Sequence, residues 1–277
     1  MKIEEILIKD LESLVKVVIE VKNHFQGQVW WRGQGCYGWK LSPSVVRNNG
    51  GYEYEQNAIF RFKQRAPSRY PNTPADSDNL GWLFLMQHHR LPTRLLDWTE
   101  SPLFAAYFAT AKDEKTKDDD GALFALSPYL LNQKQVGVYG VLSPNDGRAV
   151  LAAKKAFDRG AKDVNYVVGI LPSEVHIRVM VQLSVFTLHG SGLLLDDLPD
   201  KDSFLFKFRI SRESKDDLKG QLKFLGVRES NLFPDLDHLA NETSALRFQP
   251  PPNTDNMTGK DEIHPHIDWR DEFGSST

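Results

Sequence analysis

The sequence predicts an α+β fold in a single domain, with a mixed or split β-sheet flanked by helices. Three observations predict it. The chain has 277 residues, 40% hydrophobic and 26% charged, which is ordinary globular material for one large domain or two small ones. Several segments repeat apolar side chains at helical spacing. Between them lie short β-branched and aromatic runs with the length of strands and turn residues at their ends.

The first helix is predicted over residues 10–24. Leu11, Leu14, Val15, Val18 and Ile19 form one stripe, Asp10 is a good N-cap, and the pattern stops near Gly27. QVWWRGQG (28–35) reads as a buried strand that delivers Arg32 to a glycine loop. A second helix is expected from Tyr52 to Arg65, after which Pro67, Pro71 and Pro74 break the chain. Asn79 is placed to cap a helix through residues 80–90. Its apolar side chains nearly all round point to a core position, and it ends at Leu91-Pro92.

TRLLDWT (93–99) has the bulk of a strand, and Ser101-Pro102 is a favoured N-cap and N1 pair for a helix through Phe108. Asp97, Trp98 and Thr99 therefore fall at a strand-to-helix turn. The charged run 112–121 is a solvated loop. Strands are expected in 121–128, 136–143, 181–190 and 203–210, and helices near 149–159 and 213–226. Residues 232–248 read as a turn and closing helix. The folded domain is placed at 1–249 and a flexible tail at 250–277.

Composition excludes several classes. The formal net charge is −3. Residues 250–277 hold six acids and two bases, which leaves 32 bases and 31 acids in the body, a charge of +1. A protein devoted to bulk attraction of the phosphate backbone needs a basic surface, although a local anion pocket remains compatible with this balance. Cys36 is the only cysteine, so neither an intrachain disulfide nor a cysteine zinc cage can form. No run of about 18 apolar residues is present, and the acidic first ten residues do not read as a signal peptide, so no membrane association and a cytoplasmic location are expected.

Trp31-Arg32-Gly33-Gln34 places an arginine on a rigid aromatic base. Its forked donors suit a phosphate or carboxylate ligand, or a buried acid of the protein itself. No Walker pattern accompanies it. Residues 86–99 concentrate His88, His89, Arg94, Asp97 and Thr99 within an apolar frame, where polar groups must satisfy one another or a ligand. An Arg94–Asp97 ion pair is the structural alternative. Adjacent histidines point in different directions on a helix, so no metal is expected. Glu229 precedes Pro234 where a loop presents a carboxylate. Asp235 and Asp237 read as helix N-terminal charges, and His189 as a strand-end residue or a ligand contact.

WWRGQG, MQHHRLPTRLLDWTESPLFAAYFA, VQLSVFTLHG and LKFLGVRESNLFPDLDHLA together resemble the successive motifs of the FRG domain family, across roughly residues 25–245. Trp31-Arg32-Gly33 stands for the Phe-Arg-Gly triplet. The order of Arg32, Asp97-Trp98-Thr99 and Glu229 is also similar to the Arg, Ser-Thr-Ser and Glu motifs of ADP-ribosyltransferases, with Asp-Trp-Thr in place of Ser-Thr-Ser and Val227 two residues before the glutamate. That resemblance implies an ADP-ribosyltransferase-like fold and an NAD-dependent transferase or NAD glycohydrolase of toxin or phage-defence type, with protein, nucleic acid, a small molecule or water as acceptor. It implies Arg32, Thr99 and Glu229 as catalytic residues. The implied NAD-binding set is Arg32, Gly33, Gln34, His89, Arg94, Asp97 and Trp98, with Arg32 anchoring the pyrophosphate, Trp98 stacking the nicotinamide and Glu229 polarising the ribose. The alternative is a non-catalytic sensor that grips a nucleotide or other phosphorylated ligand with the same cations.

Overall fold

The computed structural model describes residues 6–47, 51–172, 181–233 and 235–245. The expected boundary at 249/250 and the tail lie outside them. Seven strands, β1 (Leu7–Ile8), β2 (Trp30–Gln34), β3 (Leu95–Thr99), β4 (Gly121–Leu126), β5 (Val167–Ile170), β6 (Ser184–His189) and β7 (Leu205–Ile210), form one sheet in the order β1-β7-β4-β2-β3-β6-β5. The β1–β7 pair is parallel and every other pair antiparallel, so the expected mixed sheet is present.

Alternation along each strand sorts the core onto two faces. Trp31, Leu123, Ala125, Phe206 and Phe208 face helices α1 (Leu11–Phe25), α5 (Pro102–Ala109) and α8 (Lys215–Phe224). Leu95, Phe186, Leu188, Val168 and Ile170 face α3 (Gly51–Arg65), α4 (Asn79–His88) and α7 (Gly147–Phe157). Trp30, Leu96, Trp98, Phe124 and Val185 look to the other side, where Leu131 of α6 (Pro128–Val136), Leu41 and Leu195–Phe204 cover them. A short α2 (Ser44–Arg47), α9 (Glu229–Leu232) and α10 (Leu236–Ala245) complete the described helices.

The sheet is continuous by hydrogen bonding yet almost divided in the middle. β2 pairs with β4 over five residues and β3 pairs with β6 over five, but β2 and β3 meet only at Trp31 and Thr99. The helices above follow the same division, one group packing on β7-β4-β2 and another on β3-β6-β5. The gap between β2 and β3 is therefore where the molecule has an opening.

Local signals explain the helix starts. Asp10 caps α1 in a reciprocal box with Ser13, accepting from its backbone N–H at 2.8 Å while the Ser13 hydroxyl accepts from Asp10 N–H. Ser101 accepts from Phe104 N–H with Pro102 at N1, as the sequence predicts. Asp78 caps α4 in place of the expected Asn79. The expected strand at 136–143 is not formed: Gly137 ends α6 in the left-handed conformation, and only Leu142 makes an isolated bridge, to Ile170.

Candidate functional site

A cavity of about 440 Å³ opens over the β2–β3 gap. Its walls come from β2 and the loop after it (Trp31–Gly35, Trp39), α2 (Ser44, Arg47), the end of α4 (Gln87, Arg90, Leu91), β3 (Asp97–Thr99), the end of α5 (Phe108, Ala111) and the entry to β6 (Gln182, Ser184). This volume falls in the range, roughly 300–1,000 Å³, of small-molecule sites.

Arg32 stands where the two strands separate. It reaches across the gap and donates from Nη1 to the main-chain oxygen of Asp97 at 2.5 Å, while its Nε is buried with no partner among the described residues. Desolvation pushes its pKa down to about 10, Asp97 opposes that shift and Arg47 adds to it, so the guanidinium stays charged at neutral pH beside another cation. Gln34, two residues on and on the same face, has a buried Oε1 without a partner. Gly33 is required by packing: a β-carbon there would run into the backbone oxygen of Ala105 and the backbone nitrogen of Ala109 in α5. Behind this wall the buried Lys215 donates to the carbonyls of Gly35 (2.6 Å), Thr116 (3.2 Å) and Ala111 (3.3 Å), tying two wall residues together.

Opposite Arg32, Asp97 is exposed to the cavity and held by a chain of side chains. Its Oδ2 accepts from Gln87 Nε2 at 2.7 Å, and Gln87 Oε1 in turn accepts from the buried Thr93 hydroxyl at 2.5 Å. Arg90 projects from the end of α4 with a left-handed backbone at φ 62°, an unusual conformation for a non-glycine residue. Arg32, Arg47 and Arg90 against Asp97 leave the walls with a formal charge of +2.

Four sequence expectations require correction. Arg94 is not on the cavity. It is buried just before β3, bonded through Nη2 (2.8 Å) and Nε (3.0 Å) to the equally buried Glu55 of α3 and through Nη1 to the carbonyls of Ala152 and Gly190. The alternative Arg94–Asp97 pair is likewise absent: Glu55 holds Arg94, and Gln87 holds Asp97. His89 is exposed beside Phe62 and His88 and lines nothing here. Glu229 is also absent from the walls: it begins α9, lies 3.9 Å from His238 Nε2 and acts on Tyr107, whose phenol is raised mainly by burial and then by that carboxylate. Its helix touches the rim indirectly, through Phe233 against Phe108 and Gln182 donating to Leu232 O.

Trp98 and Thr99 line the cavity, but their functional groups are committed elsewhere. The Trp98 ring lies in the core with Trp30 and Leu96, and its Nε1 donates to Thr187. The Thr99 hydroxyl donates to Gln182 O at 2.7 Å and accepts from Ser101 N–H at 3.1 Å, fixing the turn into α5. The aromatic free to meet a ligand is Trp39, 41% exposed. Sequence reasoning missed it, together with Arg47 and Arg90; a tryptophan in the glycine-rich QGCYGWK loop was the available signal.

Residues 27–118 match the family described as the FRG domain. This segment of the chain is similar to the FRG domain. The FRG match runs from just before β2 to the loop after α5, so it contains every cavity residue named above except Gln182 and Ser184. It does not extend to the later motifs at 181–190 and 222–240. No curated protein and no solved structure matches the chain significantly. Among the described residues no cluster of His, Cys, Asp or Glu is arranged to hold a metal ion, and no helix is long and apolar enough to cross a membrane.

Proposed function

We propose that this chain binds a nucleotide or a closely related phosphorylated ligand in the cavity between β2 and β3. The observation that carries the reading is that Arg32, Arg47 and Arg90 line one open cavity of net positive charge, with an exposed indole, Trp39, on its rim. Guanidinium forks match phosphate oxygens, and an aromatic face accepts a planar base. The near-neutral body of the protein supports a local anion site over a nucleic-acid surface.

A second reading, NAD cleavage with transfer to water or another acceptor, is favoured by Arg32, Asp97 and Thr99 sharing this cavity. Hydrolysis breaks the bond between the ribose C1′ and the nicotinamide nitrogen, and water supplies the new oxygen while losing a proton. Such a reaction passes through an oxocarbenium-like state that needs a nearby carboxylate. Asp97 is the carboxylate on the cavity wall, whereas Glu229 is not part of it.

Both readings are tested by thermal melting with AMP, ADP, ATP, ADP-ribose and NAD. A ligand at 100 times its Kd raises stability by about 2.7 kcal/mol. Arg32→Lys is expected to weaken binding about 10- to 100-fold, because a lysine cannot reproduce the fork and a charged hydrogen bond contributes about 1.5–3 kcal/mol. If no phosphorylated compound shifts the wild-type melt, the binding proposal fails. Nicotinamide release from NAD, present in wild type and lost in Arg32→Lys, decides for catalysis.

A further inference from the structure

The acid in an otherwise cationic cavity calls for its own explanation. A site that took phosphate alone would gain nothing from Asp97, since a carboxylate beside three arginines weakens their attraction for an anion. Asp97 is nevertheless built in. Its Oδ2 is fixed by Gln87, Gln87 is fixed by Thr93, and the Thr93 hydroxyl also accepts from the Leu95 N–H at 3.2 Å, so the carboxylate is oriented from the buried start of β3. Oδ1 accepts no hydrogen bond among the described residues. An oriented carboxylate oxygen with no donor from the protein is open to a donor from the ligand. In a phosphorylated ligand that donor is a hydroxyl group close to the phosphates.

We infer that Asp97 recognises the ribose hydroxyls of the ligand, making this a site for ribonucleotides rather than for deoxyribonucleotides or inorganic phosphate. The inference rests on the proposal that the cavity binds a nucleotide. In this arrangement the arginines take the phosphates, Asp97 Oδ1 accepts from the ribose, and Gln87 is a positioning residue that acts through Asp97. Selectivity arises when the bound ligand covers Asp97, because the analogue lacking the hydroxyl then leaves the carboxylate desolvated and unpaired.

The test is titration calorimetry of the full chain with ADP and with 2′,3′-dideoxy-ADP. Wild type is expected to prefer ADP by about tenfold or more, the effect of one charge-assisted hydrogen bond. Asp97→Asn is expected to bring the ratio to within about twofold while circular dichroism and the melting temperature of the free protein stay unchanged. Gln87→Met, which leaves the charge but frees its orientation, is expected to give an intermediate ratio. Equal affinity of wild type for both compounds, or the same preference in Asp97→Asn, overturns the role of Asp97 and leaves the nucleotide site standing. Failure of wild type to bind ADP, dideoxy-ADP, ADP-ribose and ATP alike overturns both.

Discussion

Arg90 shows what the site asks of a single residue. It sits just past the end of α4, where Leu91 N–H returns to Met86 O at 3.0 Å, a C-terminal motif in which glycine normally takes the left-handed position. Holding an arginine there costs about 1–2 kcal/mol of backbone strain. The gain is a guanidinium on the cavity wall. Arg90→Gly is therefore expected to leave stability unchanged or raise it by about 1 kcal/mol, while the melting shift given by ADP shrinks. A variant that loses stability yet keeps the full ADP shift would show that Arg90 serves the helix end alone. Arg94 is the contrast: equally cationic, it is consumed by Glu55, and breaking such a buried pair by removing one partner typically costs about 3–5 kcal/mol.

At the scale of elements, the cavity depends on how α5 rests on β2. Gly33 and the alanines of α5 let helix and strand approach until only a hydrogen atom fits between them. This close approach sets the height of Phe108 and Ala111 on one wall against Gln87 and Arg90 on the other. Gly33→Ala is expected to lift α5 and destabilise the protein by about 1–3 kcal/mol, read as a lower denaturant midpoint at constant m-value. The nucleotide shift should fall with it, since the added methyl group moves a wall. An unchanged midpoint would mean that α5 is not pinned as described. The same element carries a second restraint from behind, because Lys215 grips the carbonyls of Gly35 and Ala111, which lie side by side just past the C-terminal ends of β2 and α5.

For the molecule as a whole, the face of the sheet opposite α5 is held by a polar chain. Trp98 Nε1 donates to Thr187 Oγ1, that hydroxyl meets His189 Nε2 at 3.3 Å, and His189 Nδ1 meets Leu193 O at 2.9 Å. A carbonyl can only accept, so Nδ1 carries the proton, and the neutral ring accepts at Nε2. Burial pushes the His189 pKa down to about 4, with Arg94 and Arg32 adding to the shift and the Leu193 contact opposing it. The unfolded chain, with the histidine near 6.5, then binds more protons than the folded one between pH 6.5 and 4. The stability this ring contributes is complete above pH 6.5 and is lost as the pH falls toward 4. It amounts to about 3 kcal/mol in full, with roughly 2 kcal/mol gone by pH 5. Denaturant midpoints at pH 7.5 and pH 5 are expected to fall more steeply for wild type than for His189→Gln. Parallel pH dependence in the two proteins would place the acid sensitivity elsewhere.

The residue pattern by itself determined the α+β class, most of the helices and the strand bearing Arg32, because periodicity and capping are local properties that need no partner. It also located β3 and its turn into α5, where Ser101 and Pro102 state the helix start. The strand β5 and helix α6 were missed, and residues 136–143 were assigned to a strand, since a short apolar run reads alike in a strand, a helix end or a buried loop until a neighbouring strand is present to pair with it. The site was half legible. Arg32, Gly33, Gln34, Asp97, Trp98 and Thr99 do line one cavity, but which of their groups are available was not a sequence property: the Trp98 indole and the Thr99 hydroxyl are bound within the fold, and Arg94 is paired with Glu55. Only the tertiary structure decided that Arg47 and Arg90 join Arg32 while Glu229 stands apart. Residues distant in the chain meet according to strand order and helix packing, and here those open the sheet between β2 and β3 and leave α9 on the flank of α5.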